Sequence, residues 1–498
     1  MKEKQISVLT RRQFIRQAAC AALGTAAMTS AIRDLRFMNA AVAQSNVTDY
    51  KALVCIFLSG GNDSNNLIIP TIQSEYDNYA AIRSDVLAIP LSGAPSIVLP
   101  LSPLNSDGHG YGLHPACPEL ATLFGEQKLA LLFNTGTLVF PMTSAQYKAG
   151  ILQKPPQLFS HADQVTQWQT SIPDQPALTG WGGRCADLLA SVQPNAPISL
   201  SVSLSGANTF EVGNILSQYS VSTSGAISLA LPGSGTALTN RTAALTNILG
   251  LPYANMQAQA YASVAQHAIN TGALLNSAIS TTSAANYWTT PFPTNITSPT
   301  GGTVNNSTLS SQLKMVARLI EAGRRSVANG GFEMKRQIFF CQVGGYDLHT
   351  GQTPGPGFTT TGAHSNLLAE VSQSLYAFQR AMEQLNGLYP GLSNSVTAFT
   401  SSDFGRTFPC NGQGSDHGWG SHHLILGGAV NGRRTYGKFP TLAVNGPDDT
   451  STGRWIPTTA CDQYFATLAT WFGVDSNNLA TVFPNLGRFS TPNLGFMA

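Results

Sequence analysis

Four apolar runs limit the folds open to this chain. Ala52-Leu-Val-Cys-Ile-Phe-Leu58, Leu129-Ala-Leu-Leu-Phe133 and Gln337-Ile-Phe-Phe-Cys-Gln-Val343 are nearly unbroken in hydrophobic character. Such runs fit strands buried on both faces, not strands with one wet side. A fourth, Ser395-Val-Thr-Ala-Phe-Thr400, follows a segment in which Leu368, Val371, Leu375, Phe378, Met382 and Leu385 alternate three- and four-residue spacings. That spacing draws one apolar stripe along a helix. Continuous strands separated by amphipathic helices predict an α/β domain with a mostly parallel central sheet flanked by helices.

The middle of the chain differs. From Val212 to Leu313 the only formally charged residue is Arg241, in a background of Ser, Thr, Asn, Ala and Gly. Helical pattern persists over 254–285 and returns at Leu313, Val316 and Ile320. We read about 205–310 as an inserted polar subdomain or cap, with loose loops around 281–307.

The beginning of the chain has its own logic. Thr10-Arg11-Arg12-Gln13-Phe14-Ile15-Arg16 is a paired-arginine export motif; an alanine-rich stretch, Ala18 to Ala31, follows, and Ala41-Val42-Ala43 offers a small-x-small cleavage site. These features predict a twin-arginine signal peptide at 1–43, a working domain at 44–498, and a periplasmic or secreted protein whose first partner is the twin-arginine translocase. Arg33, Asp34 and Arg36 interrupt the approach to the cleavage site, so a retained anchor is the alternative to cleavage with no stable membrane insertion. Six cysteines remain after the signal, Cys55, Cys117, Cys185, Cys341, Cys410 and Cys461, widely spaced and without a CxxC pair. That argues against a thiolate zinc site and leaves any disulfide pairing open. The net charge of +2 provides no basic footprint for nucleic acid.

Three of the four strand-like runs pass straight into turns that carry an acid: Ser59-Gly-Gly-Asn-Asp63, Val343-Gly-Gly-Tyr-Asp347-Leu-His349 and Ser401-Ser-Asp403-Phe-Gly-Arg406. Ligands of open α/β sheets bind outside the carboxyl ends of the strands, so the three acids are expected on one face. Carboxylates brought together repel unless a cation or proton lies between them. Imidazoles join the set at His349 and in Ser415-Asp416-His417-Gly-Trp-Gly-Ser-His422-His423. Asp and His together suit zinc, manganese or iron, with calcium or magnesium less suited as the His count rises. Each residue also has a plainer role open to it. Asp63 fits a turn or helix cap, Asp403 a pair with Arg406, and His423 a core position. His109, His114, His267 and His364 are read as structural.

For a nucleophile, Ser160-His161-Ala-Asp163 precedes a segment where a helix begins. A helix N-terminus favours an anion, and Ser160 is the candidate, with a simple N-cap as its alternative and Ser64 as a second choice. Arg406 is the candidate clamp for an oxyanion, because its planar fork matches phosphate or sulfate.

These motifs resemble the family called domain of unknown function 1501: the Gly-Gly-Asn-Asp turn with Asn66, Gly-Gly-Tyr-Asp-Leu-His, Ser-Asp-Phe-Gly-Arg-Thr and Asp-His-Gly-Trp-Gly-Ser-His-His. Thr179-Gly-Trp-Gly-Gly-Arg184 and the run from Gly427 to Gly437 fit too, so the resemblance spans essentially the whole chain. That family is similar to the alkaline phosphatase and sulfatase superfamily. The resemblance implies an alkaline-phosphatase-like sheet and a two-cation site with Asp63, Asp347, His349, Asp403 and His417 or His422 as ligands. It also implies that Ser160 sits near the nucleophile position. Where that superfamily has Asp-His after the fourth strand, this chain has Asp403-Phe404; Cys117-Pro118-Glu119 does not match the Cys-x-Pro-x-Arg motif of many sulfatases. The expected function is an exported hydrolase of phosphoesters or related anionic esters, free or polymer-borne, using one or two divalent ions, zinc or manganese before calcium or magnesium. The rival is a non-catalytic secreted binding or assembly protein that keeps the fold.

Overall fold

The computed structural model describes residues 47–93, 97–193, 196–227, 231–280 and 288–498. Arg11, Arg12 and the expected cleavage site after Ala43 lie outside the described residues. Among the described residues no helix is long and apolar enough to cross a membrane.

Ten strands form the main sheet: β1 (Lys51–Leu58), β2 (Leu129–Gly136), β3 (Ser201–Ser203), β4 (Tyr219–Ser222), β5 (Gly225–Ala226), β6 (Arg336–Val343), β7 (Val396–Ser402), β8 (Ser421–Gly427), β9 (Thr435–Tyr436) and β10 (Thr459–Ala460). Their spatial order is β9-β2-β8-β7-β1-β6-β3-β4-β5, with β10 also on β2. β7, β1, β6, β3 and β4 run parallel, and the four apolar runs of the sequence are β1, β2, β6 and β7. β8 is antiparallel to both its neighbours, β7 and β2.

Two layers of helix cover the sheet. Ala52, Val54 and Ile56 of β1 face one side, with α7 (Thr308–Arg324) and α8 (Ala363–Leu385), whose six predicted stripe residues are all buried. Leu53, Cys55 and Phe57 face the other, with α3 (His161–Thr170), α4 (Trp181–Leu189) and α9 (Cys461–Phe472). Trp181 stacks on Phe465 there, centroids 4.5 Å apart. On the first side α1 (Gln73–Leu87) and α2 (Pro118–Gly125) complete the layer through Tyr79, Leu120 and Leu123. The charge-poor segment is not wholly separate from this body. β4 and β5 extend the main sheet, while α5 (Gly235–Leu249) buries none of its residues and α6 (Met256–Ser280) only a few. Five of the six cysteines are buried and all six are free thiols.

The Thr179–Arg184 motif is a packing device. A β-carbon on Gly183 would lie 2.1 Å from the Val212 carbonyl carbon, so α4 and the 209–213 loop touch backbone to backbone. Arg184 then reaches past α4 to the carbonyls of Val482 (3.0 Å) and Thr179 (2.6 Å). Gly183→Ala is expected to lower stability by about 1–3 kcal/mol or more through overpacking. Chemical denaturation checks this, and an unchanged midpoint would contradict the close approach.

Candidate metal centre

Register places the site. Leu58 of β1 pairs with Val343 of β6 and with Ser402 of β7, so three parallel strands end level with one another. The turns that follow therefore emerge side by side. β8 runs the other way, which brings its N-terminal end, and His417 just before it, to the same edge. The loop after β2 delivers the start of α3 there too.

Four side chains meet at this edge. His161 and His417 face each other Nε2 to Nε2 at 3.1 Å, and His349 Nε2 lies 2.9 Å from His417 Nε2. Asp347 Oδ1 is 3.2 Å from the Nε2 atoms of both His349 and His417, and its Oδ2 is 3.5 Å from His161 Nε2. His161, Asp347 and His417 present ligand atoms all within 4.8 Å of one another.

The far nitrogens explain why this arrangement calls for a cation. His161 Nδ1 lies 2.6 Å from Asp403 Oδ2, His349 Nδ1 2.8 Å from Asp416 Oδ1, and His417 Nδ1 2.7 Å from the Phe159 carbonyl. Those oxygens only accept, so each Nδ1 carries the proton and each neutral ring turns an Nε2 lone pair inward. Three lone pairs and a carboxylate repel one another unless a positive charge sits among them. A proton on one ring satisfies one contact; a divalent ion would satisfy His161, His417 and Asp347 together. Bonds of about 2.0–2.1 Å in a tetrahedron put ligand atoms about 3.3 Å apart, close to the separations among His161, Asp347 and His417, while His349 stands on the far side of His417 from His161. Metal-bound histidines are oriented in this way by acceptors on the opposite nitrogen. The donor set fits zinc or manganese.

Burial and neighbouring charges act differently on the three groups. The hydrogen bond to Asp403 raises the His161 pKa above the ordinary imidazole value, outweighing its partial burial. Burial, with the charge of Arg406, lowers that of His417. Burial works against ionisation of Asp347, but Arg406 overrides it and holds the carboxyl below its usual range. Phe159 holds a left-handed backbone, φ +73°, as its carbonyl meets His417.

Not every predicted ligand joins this group. Asp347, His349 and His417 are brought together. Asp63 is buried, bound to the Arg83 guanidinium and accepting from Gln352 Nε2 at 2.5 Å, so both its charge and an oxygen are already taken. His422 lies in the core, stacked on Phe439, its Nδ1 accepting from the Asn134 N–H at 3.0 Å. Asp403 is buried and divides its oxygens between the Gly60 N–H (3.0 Å) and His161, which makes it an orienting residue. Arg406 is no oxyanion clamp. Its side chain is fully enclosed and donates to Asp347 Oδ1 (2.8 Å), Gly60 O (3.2 Å) and Ser415 O (3.1 Å).

Ser160 is the residue before α3, and its hydroxyl donates to Asp163 Oδ2 at 2.6 Å. Phe404, which follows Asp403, packs its ring against His161 (4.7 Å) and His417 (4.6 Å). Gly61, φ +82°, admits that ring, since a β-carbon there would lie 2.5 Å from it. Sequence reasoning missed His161 and Asp416 as site residues, although both stand inside motifs it had singled out. An open cleft of about 440 Å³ lies beside the group, lined by Ser59, Gly60, Ala162, Val165 and Gly344 together with His161, Asp347 and Asp403.

The family model described as "Protein of unknown function (DUF1501)" matches residues 50–479. No curated protein matches the chain. Among solved structures, one from Bacteroides thetaiotaomicron concerned with the metabolism of multiple glycosaminoglycans is 11% identical, with 86% of this chain and 73% of that one covered and a TM-score of 0.30. A phosphonate monoester hydrolase of Agrobacterium radiobacter is 10% identical, with 85% and 74% covered and a TM-score of 0.28. A sulfatase from Pseudoalteromonas sp. is 11% identical, with 89% and 72% covered and a TM-score of 0.27. Likenesses this remote transfer no activity.

Asp403→Asn leaves the shape of the His161 support but removes its charge. Zinc affinity, measured against a competing chelator, is expected to fall about 10–100-fold. Unchanged affinity would mean that His161 needs no carboxylate behind it.

Proposed function

The chain belongs to the DUF1501 family, and from its site we propose that it is an exported metal-dependent hydrolase of phosphoesters or related anionic esters. One observation carries this reading: the Nε2 atoms of His161 and His417 converge with Asp347, His349 Nε2 adjoins His417, and each ring is fixed from behind by an acceptor. His161, His349, His417 and Asp347 would hold the ion. A bound divalent ion supplies Lewis-acid polarisation of an ester oxygen and compensates negative charge as it develops.

The chain's own residues supply the rest. Ser160 precedes the ligand His161 at the N-terminus of α3 and would act as the nucleophile. Asp163 already accepts the Ser160 proton's hydrogen bond, which sets it to take that proton as Oγ attacks the ester centre. The ester oxygen then leaves, and water releases the Ser160-bound group in a second step. Asp403, Asp416 and the Phe159 carbonyl keep the rings aimed throughout. The paired arginines propose export in the folded state, which would let the centre assemble before translocation.

Elemental analysis of the purified chain tests the reading. About one zinc or manganese per chain is expected, lost in His417→Ala. In the metal-loaded protein, Asp163→Asn is expected to lower turnover of p-nitrophenyl esters of phosphate about 10²–10⁴-fold with metal content unchanged. A well-folded protein that takes up no divalent ion would overturn the proposal.

A further inference from the structure

The sequence offered Arg406 as the oxyanion clamp, and the fold consumes it. A second cation stands at the same centre. Arg454 donates from Nε to the backbone carbonyl of His417 at 2.8 Å, and its guanidinium lies 4.3 Å over the Phe159 ring. Both anchors belong to the centre itself, since the Phe159 carbonyl fixes the His417 ring and Phe159 adjoins Ser160. Arg454 is only half-buried, and no carboxylate among the described residues pairs with it. The hydrogen bond to His417 uses one of its five N–H donors, so the outer edge of the fork keeps its donors for something else.

A second unpaired cation accompanies it. Lys154 lies 4.4 Å over the ring of Tyr147, and Arg454 is close enough to that phenol to act on its ionisation. Two positive charges thus rest on aromatic rings, Phe159 and Tyr147, that pack into the same cluster beside the centre. In a chain with only 10% charged residues, such a pair without counter-ions is a concentrated feature. Cations stacked on rings are less hydrated than free ones, and an arginine fork matches two oxygens of a tetrahedral anion.

We propose that Arg454, supported by Lys154, forms the oxyanion-binding subsite of this centre and receives a phosphoryl or sulfuryl group of the substrate. The proposal rests on the metal-centre reading for its place in catalysis, but anion binding by the rim can be read without activity. Stacking on Phe159 and the bond to the His417 carbonyl tie the guanidinium to two residues of the centre. The cleft lined by Gly60, Gly344 and Ala162 on the α3 side is left for the uncharged part of the substrate.

The test is calorimetric titration of the folded chain with inorganic phosphate and, separately, sulfate. It is run with and without zinc, on the wild type and on Arg454→Met, Arg454→Lys and Lys154→Met. Methionine keeps apolar bulk over Phe159 while removing the charge. Binding weakened at least about tenfold in Arg454→Met, less in Arg454→Lys and Lys154→Met, with zinc content unchanged, is the expected result. Phosphate binding that is absent in the wild type, or equal in Arg454→Met, would overturn the subsite. If the wild type takes up no zinc, the metal reading fails by itself, and a charge-dependent loss of phosphate binding in Arg454→Met would still uphold the subsite. If Arg454→Met loses its zinc, Arg454→Lys decides: phosphate binding as tight as wild type with zinc retained overturns the role of the fork.

Discussion

Everything at the working edge of the sheet depends on one buried guanidinium. Arg406 ties the turn after β1, the turn after β6 and the loop ahead of β8 into one piece through Gly60 O, Asp347 Oδ1 and Ser415 O. An ion with so little access to water is stable only where every donor finds an acceptor, because desolvation costs several kcal/mol per ion. The requirement runs in both directions. The carbonyls need the arginine to hold their turns in place, and the arginine needs the turns to remain in the fold. Asp347 is thereby aimed at the histidines before any ligand arrives.

The same economy of partners separates the acids that orient from the acid that faces the ion site. Four carboxylates gather here, at Asp347, Asp403, Asp416 and, one layer deeper, Asp63. Asp63 spends its charge on Arg83, and Gln352 and Ser415 continue that network, Gln352 Oε1 accepting from Ser415 Oγ at 2.7 Å. Asp403 and Asp416 face the outer nitrogens of two rings. Only Asp347 turns inward. A like-charged cluster that would be unstable if all four acids converged is spread over two shells, with imidazoles between them.

How far the sequence revealed this can be traced residue by residue. Apolar runs announced β1, β2 and β6, the segment after the striped helix announced β7, and the rule that ligands bind beyond the carboxyl ends of strands announced the edge where Asp347, His349 and Asp403 stand. β8 was less visible because the strand begins with Ser421-His422-His423, polar residues that the fold nonetheless buries. His161 was overlooked because it starts a helix: its ring reaches the centre through a long loop after β2, and loop paths leave no periodic trace. Asp63 looked like its two counterparts because Arg83, which neutralises it, is twenty residues away on α1. Arg406 looked free for the same reason, since its acceptors are backbone carbonyls, which carry no letter in a sequence.

The position of β1 at the middle of the sheet has a kinetic meaning. Its two neighbours, β6 and β7, lie some 285 and 345 residues further along the chain, as their registers show. The first of the sheet's described strands to be synthesised therefore has neither neighbour to pair with until most of the sheet exists, and contacts of such range are slow to form. An apolar strand kept waiting is exposed to aggregation and to helpers that bind unfolded chains. The ring-to-ring contact of His161 with His417 spans 256 residues, so the centre closes only when nearly the whole domain is in place. An ion held between His161 and His417 would thus join two parts of the chain that meet only late in folding.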